Sequence, residues 1–221
     1  MSYKAIIFDM DGTIICTETI WQAATQKILD KHANHLSQDK KNEIKTYLKG
    51  LALYESCKYI ASHSLTDVSP DLIRQEKAQF AHDLYTSLGL SYIPHFQDFH
   101  KKACLLDFKT AIATNAIEQS VANTLKLLPL DDFFGKHIYH IDMVGGVCKP
   151  NPAIFLHAAK NIGIDPEDCI VIEDSAHGIK AAKAAGMYCI AINTGNDRHL
   201  LTQADEIVDC YQEINLEKFL K

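Results

Sequence analysis

The sequence predicts an α/β protein built on a doubly wound parallel sheet, with an all-α domain inserted after the first strand. Three observations predict it. The chain opens on a short apolar run, Lys4 to Phe8, that ends directly on acids at Asp9 and Asp11. From Glu18 to Leu88, apolar residues recur at three- and four-residue steps, the spacing of helices that bury one face. Beyond residue 95 or so, strand-like runs alternate with single helical stretches, the pattern of βαβ units.

Each element follows from local chemistry. The first strand covers Lys4–Phe8. Helices are expected over Glu18–Asn34, Asp39–Leu48, Ala52–His63 and Pro70–Ser87. The last begins on Ser69-Pro70, where serine caps the helix and proline sits at the first position, whose N–H has no partner inside the helix. Strands are then expected at Lys109–Ala113, His137–Ile141, Ile170–Ile172 and Tyr188–Ile192, with a weak edge strand at Glu206–Val208. Between them lie helices at Glu118–Leu127, Ala153–Ile162 and Gly178–Ala185, punctuated by Pro152, Gly163 and Gly186. The chain thus divides into a core of residues 1–16 and 92–221 and a helical insert of residues 17–91.

Composition excludes several classes. A net charge of -6 without clustered Lys and Arg argues against nucleic acid and membrane surfaces as partners. No apolar run is long enough to span a bilayer, and Ala5–Phe8 is too short for a signal peptide. Seven cysteines without a Cys-x-x-Cys pair read as reduced thiols, so a cytoplasmic location is expected. His32/His35 and His137/His140 share a metal-like offset, but neither pair has a third ligand nearby in sequence.

In a doubly wound sheet, ligands collect beyond the carboxyl ends of the strands. Four groups of chemically useful residues sit there. Asp9 and Asp11, with Gly12 and Thr13, follow the first strand and concentrate negative charge that a cation or a protonation event must relieve. Thr114 and Asn115 follow the second strand run and can donate hydrogen bonds to a phosphate oxygen, although either is also a good helix cap. Lys149, before Pro150, is a compact charge suited to a phosphoryl group. Glu173 and Asp174 end the Ile170–Ile172 run, where a hard cation with oxygen ligands would resolve their repulsion, and magnesium is the expected ion. The small-residue run Ala181–Gly186 reads as close helix–sheet packing.

Taken in order, these residues resemble the four motifs of the haloacid dehalogenase-like hydrolase superfamily. The stretches Lys149–Phe155, Glu173–Gly178 and Ala185–Met187 are especially similar to its β-phosphoglucomutase and phosphoglycolate-phosphatase-like branch. The resemblance implies a Rossmann-like core and a helical cap that closes over small substrates, with hinges near Thr13–Thr19 and Leu88–Pro94. It implies a Mg2+-dependent phosphatase acting on a small phosphorylated metabolite through an aspartyl-phosphate on Asp9, with Asp11 as general acid and base. It further implies that Asp9, the Asp11 main-chain carbonyl and Asp174 hold the metal, with Glu173 as a further ligand or a supporting acid. Thr114, Asn115 and Lys149 would bind the transferring phosphoryl group. In the cap, Lys49, beside Gly50, and Lys77 are the candidates for reading the leaving group, and the expected assembly is a monomer or a weak homodimer.

Two rivals share this core. A sugar phosphomutase of the β-phosphoglucomutase type commonly carries an Arg shortly after the cap Lys-Gly and a His shortly after the first motif. Here those regions read Leu51-Ala52-Leu53-Tyr54 and Ile20-Trp21, which weakens that reading. A catalytically silent binding protein on the same fold would have lost a nucleophile, acid, lysine or metal acid, and all are kept.

Overall fold

Strand β1, Ala5–Phe8, is buried at all four positions, as a strand covered on both faces must be. The computed structural model describes residues 2–48, 53–64, 67–195 and 198–220. Two compact units form, one from Met1–Cys16 with Leu90–Lys221 and one from Thr17–Gly89.

The Thr17–Gly89 unit is helical: α1 (Glu18–His32), α2 (Gln38–Leu48), α3 (Leu53–Ala61) and α4 (Pro70–Leu88). Their inward faces share a core of Ile28, Leu29, Ile44, Leu48, Cys57, Ile60 and Ile73. The Ser69 hydroxyl accepts from Leu72 N–H at 3.1 Å, so α4 starts where its cap predicts. Glu76 on α4 pairs with Lys31 and His32 on α1 at 2.8 and 2.5 Å, and Lys41 on α2 reaches Asp30 on α1 at 2.7 Å. His32 therefore serves a contact with Glu76 that ties α1 to α4.

In the other unit the order continues as α5 (Phe96–Leu105), β2 (Lys109–Thr114), α6 (Glu118–Leu125), α7 (Asp131–Phe134), β3 (Ile138–His140), α8 (Ala153–Ile162), β4 (Cys169–Glu173), α9 (Ala176–Ala184), β5 (Tyr188–Ile192) and β6 (Glu206–Val208). Helices α5 and α7 fall outside the sequence expectation. Phe96, Phe99, His100 and Ala103 give α5 a good apolar stripe, but His95 enters it with φ 66° and makes no side-chain cap, so the usual start signal is missing.

All strand pairings are parallel, in the order β3-β2-β1-β4-β5-β6. Alternate residues of β1 feed opposite faces. Ile6 and Phe8 join a core that includes Phe96, Phe99, Val121 and Phe134, whereas Ala5 and Ile7 join Ile154, Phe155, Ala158, Ile179 and Ala182. The strand order departs in opposite directions from β1, toward β2 on one side and β4 on the other. That switch leaves a crevice at the carboxyl ends of these strands. No helix among the described residues is long and apolar enough to cross a membrane.

Candidate active site

Four separate parts of the chain meet at this crevice. Asp9 directly follows β1, Thr114 ends β2, Glu173 ends β4 with Asp174 next, and Lys149 arrives on the connection between β3 and α8. Lys149 is 2% exposed, and its Nζ donates to Asp9 Oδ1 at 2.5 Å and to Glu173 Oε1 at 2.9 Å. A buried ammonium between two carboxylates satisfies its charge only in this geometry. Burial acts to lower the lysine's pKa, but Asp9 and Glu173 outweigh it, so Lys149 is raised and stays charged.

Glu173 is fully engaged. Its Oε2 accepts from the Ser175 N–H at 2.7 Å and from the Ser175 hydroxyl at 2.9 Å. The same hydroxyl accepts from Gly178 N–H at 3.0 Å and caps α9. Glycine is required at 178, because a Cβ there would lie 1.6 Å from Glu173 Oε1.

The acids exceed the bases. Oxygens of Asp9, Glu173 and Asp174 lie within 4.8 Å of one another, and among the described residues this is the cluster able to hold a metal ion. Burial, then the charge of Glu173, push Asp9 up to about 7 against the opposing pull of Lys149. Asp174 is raised well above the usual carboxylate range by burial, then by Glu173 and Asp9. With all three acids ionised beside the one Lys149 ammonium, the cluster would lack two positive charges, the charge of one divalent cation. An all-oxygen donor set suits a hard ion such as magnesium. Glycine at 12 makes room for the Asp174 carboxylate: Gly12 has φ +81°, and a Cβ on it would sit 2.2 Å from Asp174 Oδ2.

The phosphate-side residues have local duties as well. The Thr114 hydroxyl accepts from Ala116 N–H at 3.0 Å, which leaves its own proton to donate. Asn115 Oδ1 accepts from the Lys149 N–H at 3.0 Å, joining the second motif to the third. Asp11 is half-buried in the turn after β1. The structure therefore brings Asp9, Asp11, Thr114, Asn115, Lys149, Glu173 and Asp174 to one end of the sheet. Ser175 and Gly178 touch Glu173, while Thr194 and Tyr211 bond the Gly12 and Thr13 carbonyls of the turn beside Asp11, and only the Ser-x-x-Gly start of α9 offered any local signal for these four.

Lys77 belongs to the helical unit and is buried on α4 between Ile73 and Ala81. Its Nζ lies 6.0 Å from the centroid of the Trp21 ring, and burial lowers its pKa. Lys49 lies outside the described residues.

Comparison with known proteins agrees with this architecture. Residues 6–192 match the family model described as haloacid dehalogenase-like hydrolase. YhcW of Bacillus subtilis (strain 168), which carries a provisional phosphatase name, is 32% identical over 189 residues, covering 86% of this chain and 83% of that protein. The fructose-1-phosphate phosphatase YqaB of Escherichia coli (strain K12) is 27% identical over 198 residues, covering 86% and 96%. In fold, the chain is similar to a family IA hydrolase of this type from Entamoeba histolytica, with a TM-score of 0.84 at 21% identity over 98% of this chain and 97% of that one.

Proposed function

The chain belongs to the haloacid dehalogenase-like hydrolases and is a phosphoric monoester hydrolase of small phosphorylated substrates, and from that premise we propose a magnesium-dependent reaction through a phosphorylated Asp9. The observation that carries this reading is the cluster of three carboxylates, Asp9, Glu173 and Asp174, at the carboxyl ends of β1 and β4, of which only Asp9 and Glu173 pair with the Lys149 ammonium. A nucleophilic carboxylate must be ionised, and burial drives Asp9 toward about 7, so added positive charge favours the reactive form. Magnesium held by Asp9, Asp174 and the Asp11 carbonyl would neutralise the phosphate dianion that the carboxylate has to approach.

The chain's own groups then divide the work. An Asp9 oxygen bonds to phosphorus as the bond to the leaving oxygen breaks, and Asp11 gives its proton to the departing alkoxide. Asp11, now ionised, takes a proton from the water whose oxygen attacks the same phosphorus. The Asp9–phosphorus bond breaks, releasing inorganic phosphate and restoring both acids. Lys149, fixed between Asp9 and Glu173, holds charge beside the transferring group throughout. Thr114 and Asn115 bind phosphoryl oxygens. Glu173 serves the site chiefly by holding Lys149, since both its oxygens accept hydrogen bonds from the protein.

The helical unit is proposed as the reader of the leaving group, with Lys77 and Lys49 as its cationic contacts. The test is phosphate release from a panel of sugar and aryl phosphates, with magnesium and with a chelator, for the wild type, Asp9→Asn and Asp11→Asn. Turnover should need magnesium, vanish in Asp9→Asn and fall about 10²–10⁴-fold in Asp11→Asn, the usual worth of a general acid. Wild-type activity in Asp9→Asn sinks the mechanism. Isomerisation of a sugar phosphate faster than phosphate release would make the enzyme a mutase.

A further inference from the structure

The turn that carries Asp11 is held from two distant parts of the chain. Inside the turn, Ile14 and Ile15 N–H donate to the Met10 carbonyl at 2.9 and 3.1 Å, and Gly12 N–H donates to the Ile15 carbonyl at 2.8 Å. Outside it, Thr194, two residues beyond β5, donates its hydroxyl to the Gly12 carbonyl at 2.7 Å across 182 positions of sequence. The Tyr211 hydroxyl donates to the Thr13 carbonyl at 2.9 Å across 198 positions. Thr13 in turn donates its hydroxyl to Asp174 Oδ1 at 3.2 Å. Two carbonyls in succession, directly after Asp11, are therefore bound by side chains from the far edge of the core.

The Tyr211 tether is the more deeply buried of the two. Tyr211 is 1% exposed, with its ring against Phe99 and Phe96 at centroid distances of 4.9 and 5.8 Å. Burial, then Asp174 and Asp9, raise its pKa well above the usual phenol range, so the hydroxyl remains a donor. Thr13 is fully buried, and its carbonyl would be left unsatisfied if the phenol were removed. Because Gly12 approaches Asp174 more closely than any side chain would permit, a small shift of this turn moves Asp11 relative to both metal-side acids.

We infer that Thr194 and Tyr211 are positioning residues for the reaction, clamping the Gly12 and Thr13 carbonyls so that Asp11 stands in register with Asp9 and Asp174. The inference rests on the magnesium-dependent reading of the site above. Neither residue touches the reacting atoms; each acts through the turn.

The test uses Tyr211→Phe, which keeps the ring packing, with Thr194→Val and Thr194→Ser. Loss of either tether should weaken magnesium binding to the substrate-free protein about tenfold by calorimetry, the effect of about one hydrogen bond. Turnover should fall by about the same factor while KM for an aryl phosphate moves less than about threefold. Amide hydrogen exchange at Gly12, Ile14 and Ile15 should quicken while β5 stays protected. Thr194→Ser should restore all three readouts. Wild-type magnesium affinity and turn exchange in folded Tyr211→Phe and Thr194→Val overturn the inference, as does a Thr194→Ser no better than Thr194→Val. If Tyr211→Phe does not fold, the Thr194 pair decides. A wild type that binds no magnesium defeats the metal reading instead, and the exchange data still judge the clamp.

Discussion

Gly178→Ala sets two effects against each other, and the structure says which wins. Gly178 is the third residue of α9, where helix propensity alone makes alanine better by about 1 kcal/mol. The added Cβ, however, would sit 1.6 Å from Glu173 Oε1, 1.8 Å from Cδ and 2.4 Å from Oε2, in the space of the carboxylate itself. Glu173 cannot keep its bonds to Ser175 N–H and hydroxyl and also make room. Displacing it strips Lys149 of one of two partners inside a buried pair, which costs about 3–5 kcal/mol when a partner is lost outright. The clash outweighs propensity, and a net loss of about 2–4 kcal/mol is expected. Lys149 would then be held by Asp9 alone, and a misplacement of about 1 Å is enough to lower kcat/KM about a hundredfold. Urea unfolding gives the stability, and phosphate release in magnesium gives the rate. A Glu173→Ala background supplies the control: with the carboxylate gone, Gly178→Ala should be neutral or stabilising by about 1 kcal/mol. If the substitution is equally damaging there, or if the single variant is as stable and active as wild type, the steric argument is wrong.

Other outcomes follow from the same geometry. Lys77→Met should raise the melting temperature, since it removes an ammonium that burial already disfavours, and should raise KM about tenfold for phosphoesters with a second anionic group while leaving an aryl phosphate unchanged. A lower melting temperature, or an equal KM change for both substrates, would contradict that role. Asn115→Ala removes the acceptor for the Lys149 N–H and should lower kcat about fivefold to tenfold without unfolding the core, as circular dichroism at matched temperature would verify. His100, hydrogen-bonded to Thr110 at 3.0 Å, is lowered by burial to about 4. Its folded-state pKa is depressed, so its contribution to stability is present above the unfolded value near 6.5 and lost as pH falls toward 4. That loss amounts to about 3 kcal/mol, to be read by urea unfolding at pH 7 and pH 4. His100→Asn should flatten this part of the profile, and an unchanged slope would refute the assignment.

Much of this molecule is written locally. Period and punctuation alone mark the helical stretch from Glu18 to Leu88 and the later alternation of strands and helices, because side-chain direction repeats every 3.6 or 2 residues whatever the partner. Asp9, Thr114, Glu173 and Asp174 stand out as candidates because polar residues at the ends of buried strands must face the crevice, whereas Lys149 lies on the connection between β3 and α8 and is marked by the Lys-Pro pair before that helix. Helix α5 escapes that reading because His95 begins it without a side-chain cap, although its stripe of Phe96, Phe99 and Ala103 is regular.

Other features exist only once the chain has folded. That Lys149 lies between Asp9 and Glu173 joins positions 140 and 24 residues apart. That Gly178 must lack a side chain depends on where Glu173 points, and that Lys77 is buried depends on how α4 packs in its unit. Tyr211 and Thr194 carry no motif at all, since a phenol or a hydroxyl becomes a tether only when packing brings it to a carbonyl. Local sequence therefore determined the element types and the chemistry at the strand ends. Tertiary packing decided which of those groups pair, which are held still and how much negative charge the site must neutralise, because distance and burial are properties of the assembled core.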